Sequence, residues 1–121
     1  MSTLENISQL TYGANKDILF KLAITRSLDN GFQFKNLKQS GIKDFDRFVN
    51  ETVGKELTIS QANKLFLRTR GPSERILING EMKKIFHYGK DRTPFRIFGY
   101  YDEKDYFCIH KIDPNHTVHR V

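Results

Sequence analysis

Apolar residues recur at helical spacing in the first half of the chain and predict three helices. The first has Asn15 as a suitable N-cap and runs to Asn30-Gly31, with apolar positions at Ile18, Leu19, Leu22, Ala23 and Leu28. The second has Ser40 as its cap and ends at Gly54, with an apolar stripe of Ile42, Phe45, Phe48, Val49 and Val53. The third has the clearest start, a capping box formed by Thr58 and Gln61, and ends at Gly71-Pro72.

After Pro72, β-branched and aromatic runs predict strands. They cover residues 75–79, 83–88, 95–101 and 106–112, and a short last strand is predicted at 117–121. Residues 32–37 fit either a short strand or a loop. Because short connections join antiparallel neighbours, we expect one α+β domain over residues 1–121. Three N-terminal helices (1–71, mainly helical) precede an antiparallel β-meander of four to five strands (72–121, mainly β).

Composition is that of a soluble intracellular protein. The 121 residues, with ten Phe and five Tyr, are enough to bury about two-thirds of the surface of the unfolded chain. Cys108 is the only cysteine, whereas small secreted domains usually carry several disulfides. The chain has no cationic leader and no apolar run long enough to span a membrane. We therefore expect a cytoplasmic protein that is not associated with membranes.

Positive charge is concentrated in the middle of the chain. Residues 64–96 contain nine basic and three acidic residues, a difference of six that equals the net charge of +6. Concentrated basic charge attracts phosphate backbones, although a solvated surface or an anchor for an acidic protein has the same composition. The nucleic-acid contacts that we predict are Lys64, Arg68, Arg70, Arg75, Lys83, Lys84, Lys90, Arg92 and, near the C-terminus, Arg120.

All four histidines lie in the last third of the chain: His87, His110, His116 and His119. Cleavage of RNA by its own 2′-hydroxyl requires a base, a cation at the phosphorus and an acid. Strand alternation predicts that His110 and Lys111 point to opposite faces and cannot serve one site, which favours His110. A packed histidine without a catalytic task is an equally good explanation for any one of them. The catalytic candidates are His110, Lys111, His116, His119 and Arg96.

Motifs for other chemistries are missing from the sequence. The spacing H-x5-H-x2-H from His110 to His119 matches no common zinc site. Cys108 lies in an apolar strand pattern, where a free cysteine is typically a small buried hydrophobe. Phosphate-binding glycine loops, G-x-S-x-G and H-E-x-x-H do not occur. We therefore expect neither a metal site nor a cofactor.

The segment from Gly80, GEMKKIFHYGKDRTPFRIFGYYDEKDYFCIHKIDPNHTVHR, resembles the C-terminal half of RelE-like toxins, including the YafO-type branch. Two segments carry the resemblance. The family's arginine-bearing strand corresponds to Phe95-Arg96-Ile97, and the polar cluster that ends its next strand corresponds to Cys108-Ile109-His110-Lys111. The resemblance implies an mRNA endonuclease that acts at the ribosome and is inhibited by an acidic antitoxin. Arg96 would contact the phosphate, with His110, Lys111, His116 or His119 at the scissile bond. It also implies an early strand that pairs in the centre of the sheet, for which residues 32–37 are the candidate.

Two other classes of protein fit the same pattern. In a winged helix-turn-helix module the third helix would read DNA with Gln61, Asn63, Lys64 and Arg68, and residues 83–92 would form the wing. A phage-type inhibitor would occupy a nucleic-acid site without catalysis. Aromatic residues continue through more strands than a wing requires, and they suit either base stacking in single-stranded RNA or core packing: Phe86, Tyr88, Phe98, Tyr100 and Tyr106.

Overall fold

The structure is a computed structural model that describes residues 18–70, 74–90, 92–115 and 117. Within these residues it contains two α-helices, α1 (Gln39–Thr52) and α2 (Ile59–Phe66), and a single 3-10 turn, Phe34–Asn36. The six strands of the described part are β1 (Lys21–Ala23), β2 (Leu67–Arg68), β3 (Glu74–Ile78), β4 (Glu81–Tyr88), β5 (Arg96–Tyr101) and β6 (Tyr106–Asp113).

The prediction of three N-terminal helices is wrong, because the first helix does not form in the described residues. Residues 21–23 are instead strand β1, in which Leu22 pairs with Phe107. The reason is the aromatic residue just before this strand: Phe20 is only 1% exposed and packs against Tyr88 and Phe107 with ring centroids 5.2 and 6.0 Å away. Burying this ring in the core outweighs the local helical spacing. The predicted cap, Asn15, lies outside the described residues.

The other two predicted helices are present with changed ends. α1 has Lys38 rather than Ser40 at its N-cap, and its buried stripe is shifted, since Ile42 is 55% exposed. α2 begins at the predicted capping box, in which Thr58 and Gln61 exchange hydrogen bonds between side chain and backbone. It ends at Phe66, because the next two residues pair with β4 as strand β2. No helix in the described part of the chain has the length and apolar character needed to cross a membrane.

The strands form a curled mixed sheet rather than the predicted antiparallel meander. Strands β3 to β6 occur where the sequence predicts strands, and their neighbouring pairs are antiparallel. The order is β1-β6-β5-β4-β2, and β3 pairs with the first half of β4. β1 lies parallel to β6, so the first strand adjoins the last one. Of the short strand predicted at 117–121, only Thr117 is among the described residues.

Both faces of the sheet are covered, which makes β5 buried along its whole length. Helices α1 and α2 cover one face through a main core that includes Phe48, Ile59 and Phe66. The β3–β4 hairpin curls over the other face, where a second core is formed by Ile78, Ile85, Phe98, Tyr100 and Cys108. Tyr88, Phe98 and Tyr100 are therefore core residues and are not available for base stacking.

Candidate nucleic-acid interface

A β-bulge in strand β6 places two predicted catalytic residues together. Phe98 of β5 pairs with Lys111, whereas the next residue, Gly99, pairs with Ile109, so His110 is the extra residue. Phe107, Ile109 and Ile112 all belong to the main core, a spacing that breaks the alternation of a regular strand. His110 and Lys111 consequently both line the same hollow on the other side of the sheet. The prediction that they point to opposite faces is wrong.

Local backbone contacts stabilise this bulge. At Gly99 a Cβ atom would lie 2.3 Å from the carbonyl oxygen of Cys108, so the strands approach too closely for any other residue. The N–H of Asp29 donates to the carbonyl oxygen of His110 at 2.8 Å, and the N–H of Ile112 donates to the carbonyl oxygen of Phe32 at 2.9 Å. The loop after β1 therefore provides backbone hydrogen-bond partners for the bulged part of β6.

The hollow beside the bulge has a volume of about 450 Å³ and lies between the loop after β1, strand β3 and strand β6. Its charged and ionisable lining consists of Arg26, Asp29, Glu74, His110 and Lys111. Lys111 is held from two sides. Its Nζ lies 3.6 Å from Oδ2 of Asp29 and 5.4 Å from the ring centroid of Phe32.

Burial lowers the pKa of His110 below its ordinary value of 6.5. The surrounding charges act in opposite directions, since Asp29 and Glu74 raise this pKa whereas Lys111 and Arg26 lower it. His110 is therefore neutral at pH 7, and one of its ring nitrogens is able to accept a proton.

Arg96, the predicted phosphate ligand, is not among the residues that line the hollow. It is 7% exposed, and its Nη1 donates to the carbonyl oxygens of Thr93 and Phe95 at 2.6 and 2.7 Å. These contacts fix the connection between β4 and β5. His116, His119 and Arg120 lie outside the described residues.

The predicted nucleic-acid contacts are spread over several elements rather than gathered in one patch. Six are exposed on α2, the β3–β4 hairpin and the connecting loops: Lys64, Arg70, Arg75, Lys84, Lys90 and Arg92. Arg68 is half-buried in β2. Lys83 is also half-buried, and its Nζ lies 3.1 Å from Oε1 of Glu81.

Arg75 and Lys84 lie opposite each other in the sheet, because they are direct partners in the β3–β4 register. Like charges directly opposite each other destabilise a strand pair. We expect Arg75→Glu to raise the free energy of unfolding by about 0.5 kcal/mol, measured by urea denaturation. Arg70→Glu makes the same charge change on an exposed residue outside the strands and should leave stability unchanged. Equal effects of the two substitutions would contradict the pairing argument.

Neither cysteine chemistry nor a metal centre is apparent in the described residues. Cys108 is buried with its Sγ 3.7 Å from Oδ2 of Asp102, and burial raises the pKa of its thiol. It therefore stays a thiol at neutral pH, as its apolar strand pattern predicts. Among the described residues, no three His, Cys, Asp or Glu side chains are grouped closely enough to hold a metal ion.

Sequence reasoning missed the three other charged residues of the hollow: Arg26, Asp29 and Glu74. Asp29 precedes the Asn30-Gly31 pair that suggests a helix end, so it was assigned to the first predicted helix. The bulge itself leaves one signal in the sequence, the three-residue spacing of Ile109 and Ile112 in a strand that otherwise alternates. The sequence gives no signal for which residues line the hollow, because they come from three segments that lie far apart in the chain.

Comparisons of this chain with models of protein families, with curated proteins and with solved structures found no match. The function must therefore be argued from the residues themselves.

Proposed function

We propose that the protein binds single-stranded RNA and cleaves it in the hollow shared by His110 and Lys111. The observation that carries this proposal is the β-bulge, which brings the two side chains to one side of the sheet. Cleavage by the 2′-hydroxyl requires a proton acceptor and a cation that stabilises charge developing on the phosphate. Neutral His110 supplies the acceptor, and the ammonium group of Lys111 supplies the cation.

In the proposed reaction, the 2′-oxygen attacks the adjacent phosphorus while its proton passes to His110. The bond from phosphorus to the 5′-oxygen breaks, and an acid gives this oxygen a proton. The products are a 2′,3′-cyclic phosphate and a free 5′-hydroxyl. The sequence offers His116 and His119 as acids, although both lie outside the described residues.

We include in this proposal the resemblance of the C-terminal third to RelE-like toxins. It implies an early strand, and the chain has one at Lys21–Ala23. Residues 32–37 do not supply it, because they contain the 3-10 turn Phe34–Asn36. One departure from the family remains, since β1 lies at the edge of the sheet rather than in its centre. We extend the proposal to ribosome-bound mRNA as the substrate and to an acidic antitoxin as the inhibitor.

The structure argues against the winged helix-turn-helix alternative. A recognition helix requires free side chains along one face, but α2 ends before Arg68, which lies in strand β2. The side chain of Gln61 is engaged in the capping box. Oδ1 of Asn63 accepts a hydrogen bond from the hydroxyl of Tyr88 at 2.5 Å. Four residues were predicted to read DNA. Among them, only Lys64 is exposed on the helix and takes no part in the contacts just described.

Cleavage of a fluorescently labelled single-stranded RNA tests the proposal. We expect His110→Ala to lower the rate by about 100-fold or more, since it removes the proton acceptor. Lys111→Ala should lower the rate by a similar factor because it removes the cation. Lys104→Ala is the matched control, because Lys104 is an exposed lysine in the turn between β5 and β6 and should leave the rate unchanged. Replacing the 2′-hydroxyl at the cleavage point with hydrogen should abolish the reaction.

The pH profile gives a further measurement on the wild-type protein. Because burial depresses the pKa of His110, the rate should fall as the pH is lowered, with a midpoint below the ordinary histidine value of 6.5. Undiminished cleavage by His110→Ala would refute its assignment as the base. RNA binding without cleavage, both on free RNA and on translating ribosomes, would instead favour the non-catalytic inhibitor.

A further inference from the structure

The β3–β4 hairpin presents one exposed face made of four side chains, Arg75, Leu77, Met82 and Lys84, which we call the hairpin face. Leu77 is 62% exposed and Met82 is 55% exposed, and the two are direct partners in the register. The next pair on the same face is Arg75 with Lys84.

The hairpin face is held in a fixed position by the opposite side of the hairpin. Ile78 and Ile85 are less than 10% exposed and belong to the second core, against which Ile76 also packs. The turn between the strands, Asn79-Gly80, has positive φ at both residues, 50° and 82°, as the tight turns of two-residue hairpins require. The exposed side chains therefore project from a rigid support, and their spacing is a stable feature of the surface.

We propose that the hairpin face binds an acidic, amphipathic segment of a partner protein. Two opposed cations repel each other, and a carboxylate placed between them would relieve this repulsion. The apolar pair lies two residues further along each strand, about 7 Å away. A segment that fits must therefore carry an acidic and a large apolar side chain about 7 Å apart, which residues two apart in an extended chain provide.

Other occupants fit this face less well. A nucleic acid would contact Arg75 and Lys84, but Leu77 and Met82 are aliphatic. The neighbouring ring of Phe86 is half-buried, and the ammonium group of Lys84 lies over it, 5.2 Å from its centroid, which leaves little of the ring for a base to stack on. A second copy of the chain would bring its own cation pair against the first. This inference does not depend on RNA cleavage in the hollow.

Binding of a synthetic peptide tests the inference on the full chain. The peptide consists of three Glu-Ser-Leu-Ser repeats with a fluorescent label, and fluorescence anisotropy measures its dissociation constant. We expect the wild-type protein to bind it at least tenfold more tightly than peptides in which Lys replaces Glu or Ser replaces Leu. Amide shifts in NMR spectra should map the contact to residues 74–84.

Two double variants identify the surface. Arg75→Ser/Lys84→Ser and Leu77→Ser/Met82→Ser should each weaken peptide binding at least tenfold. Leu65→Ser and Lys104→Ser are the matched controls, because Leu65 is 55% exposed on α2 and Lys104 is exposed in a turn; neither should change the affinity. All four residues of the hairpin face are exposed, so the variants should keep the wild-type circular dichroism spectrum and should not lower the melting temperature.

Three results would overturn the inference. The first is an absence of peptide binding, and the second is binding that neither double variant weakens. The third is binding of single-stranded RNA, or of vesicles of phosphatidylserine and phosphatidylcholine, that both double variants abolish, since the face would then belong to a nucleic-acid or membrane surface. RNA cleavage that persists in Arg75→Ser/Lys84→Ser, in which neither changed residue lines the hollow, would leave the inference intact and would separate it from the function of the hollow.

Discussion

Gly99→Ala is expected to lower the free energy of unfolding by about 3 kcal/mol, at the upper end of what overpacking a core causes. The added Cβ would lie 2.3 Å from the carbonyl oxygen of Cys108 and 2.9 Å from two ring atoms of Phe107. A clash with a backbone oxygen cannot be relieved by rotating a side chain, so β5 and β6 would have to separate at the bulge. Urea denaturation followed by circular dichroism measures the change.

Gly80→Asn is the control for Gly99→Ala. No heavy atom lies within 4 Å of a Cβ built at Gly80, and asparagine tolerates its positive φ better than most residues. We expect this variant to lose less than about 1 kcal/mol. A loss of similar size in both variants would mean that Gly99 is required for its backbone flexibility and not for the close approach of the two strands.

Phe107→Ala should have a still larger effect, a loss of about 3–5 kcal/mol. The ring is 0% exposed, and its centroid lies 4.9 Å from that of Tyr88 and 5.2 Å from that of Tyr101. Removing it leaves a cavity that the surrounding rings can fill only in part. Denaturation in guanidinium chloride gives the difference in free energy of unfolding.

Leu77→Ala is the matched control for Phe107→Ala, because Leu77 is a strand residue that is 62% exposed. We expect it to change stability by less than about 0.5 kcal/mol. A loss of less than about 1 kcal/mol for Phe107→Ala would contradict the position of Phe107 in the main core.

Elements that depend on local interactions could be predicted from the sequence. The capping box at Thr58 is such an element, since both of its hydrogen bonds join residues three apart. Strands β3 to β6 are likewise rich in β-branched and aromatic residues, which favour extended backbone wherever the strands pair. Both kinds of signal act before any tertiary contact is made.

Elements that depend on distant partners could not be predicted in this way. The three residues of β1 pair with a strand 85 positions later, as Lys21 with Tyr106 shows. The prediction of a helix rested on the near-helical spacing of Ile18, Leu19 and Leu22. The residue that decides the structure here is Phe20, whose ring is buried in the core. The boundary at Phe66 was also missed, because it is set by pairing of the next two residues with β4.

The candidate site was predicted only in part. His110 and Lys111 were found from residue type, but their shared position depends on the bulge and was predicted wrongly. Arg96 was predicted to contact the phosphate because the resemblance to RelE-like toxins implies that role. Sequence does not reveal that its Nη1 turns toward the carbonyl oxygens of the preceding loop.

The parallel pairing of β1 with β6 also affects when the hollow can form during synthesis of the chain. Asp29, in the loop after β1, is translated early, whereas the carbonyl oxygen of His110 to which it donates belongs to the last strand. The hollow therefore cannot close until residues 106–113 have been made. For a protein that we propose to cut mRNA, this order of assembly would protect its own message and the ribosome translating it until β6 has been made.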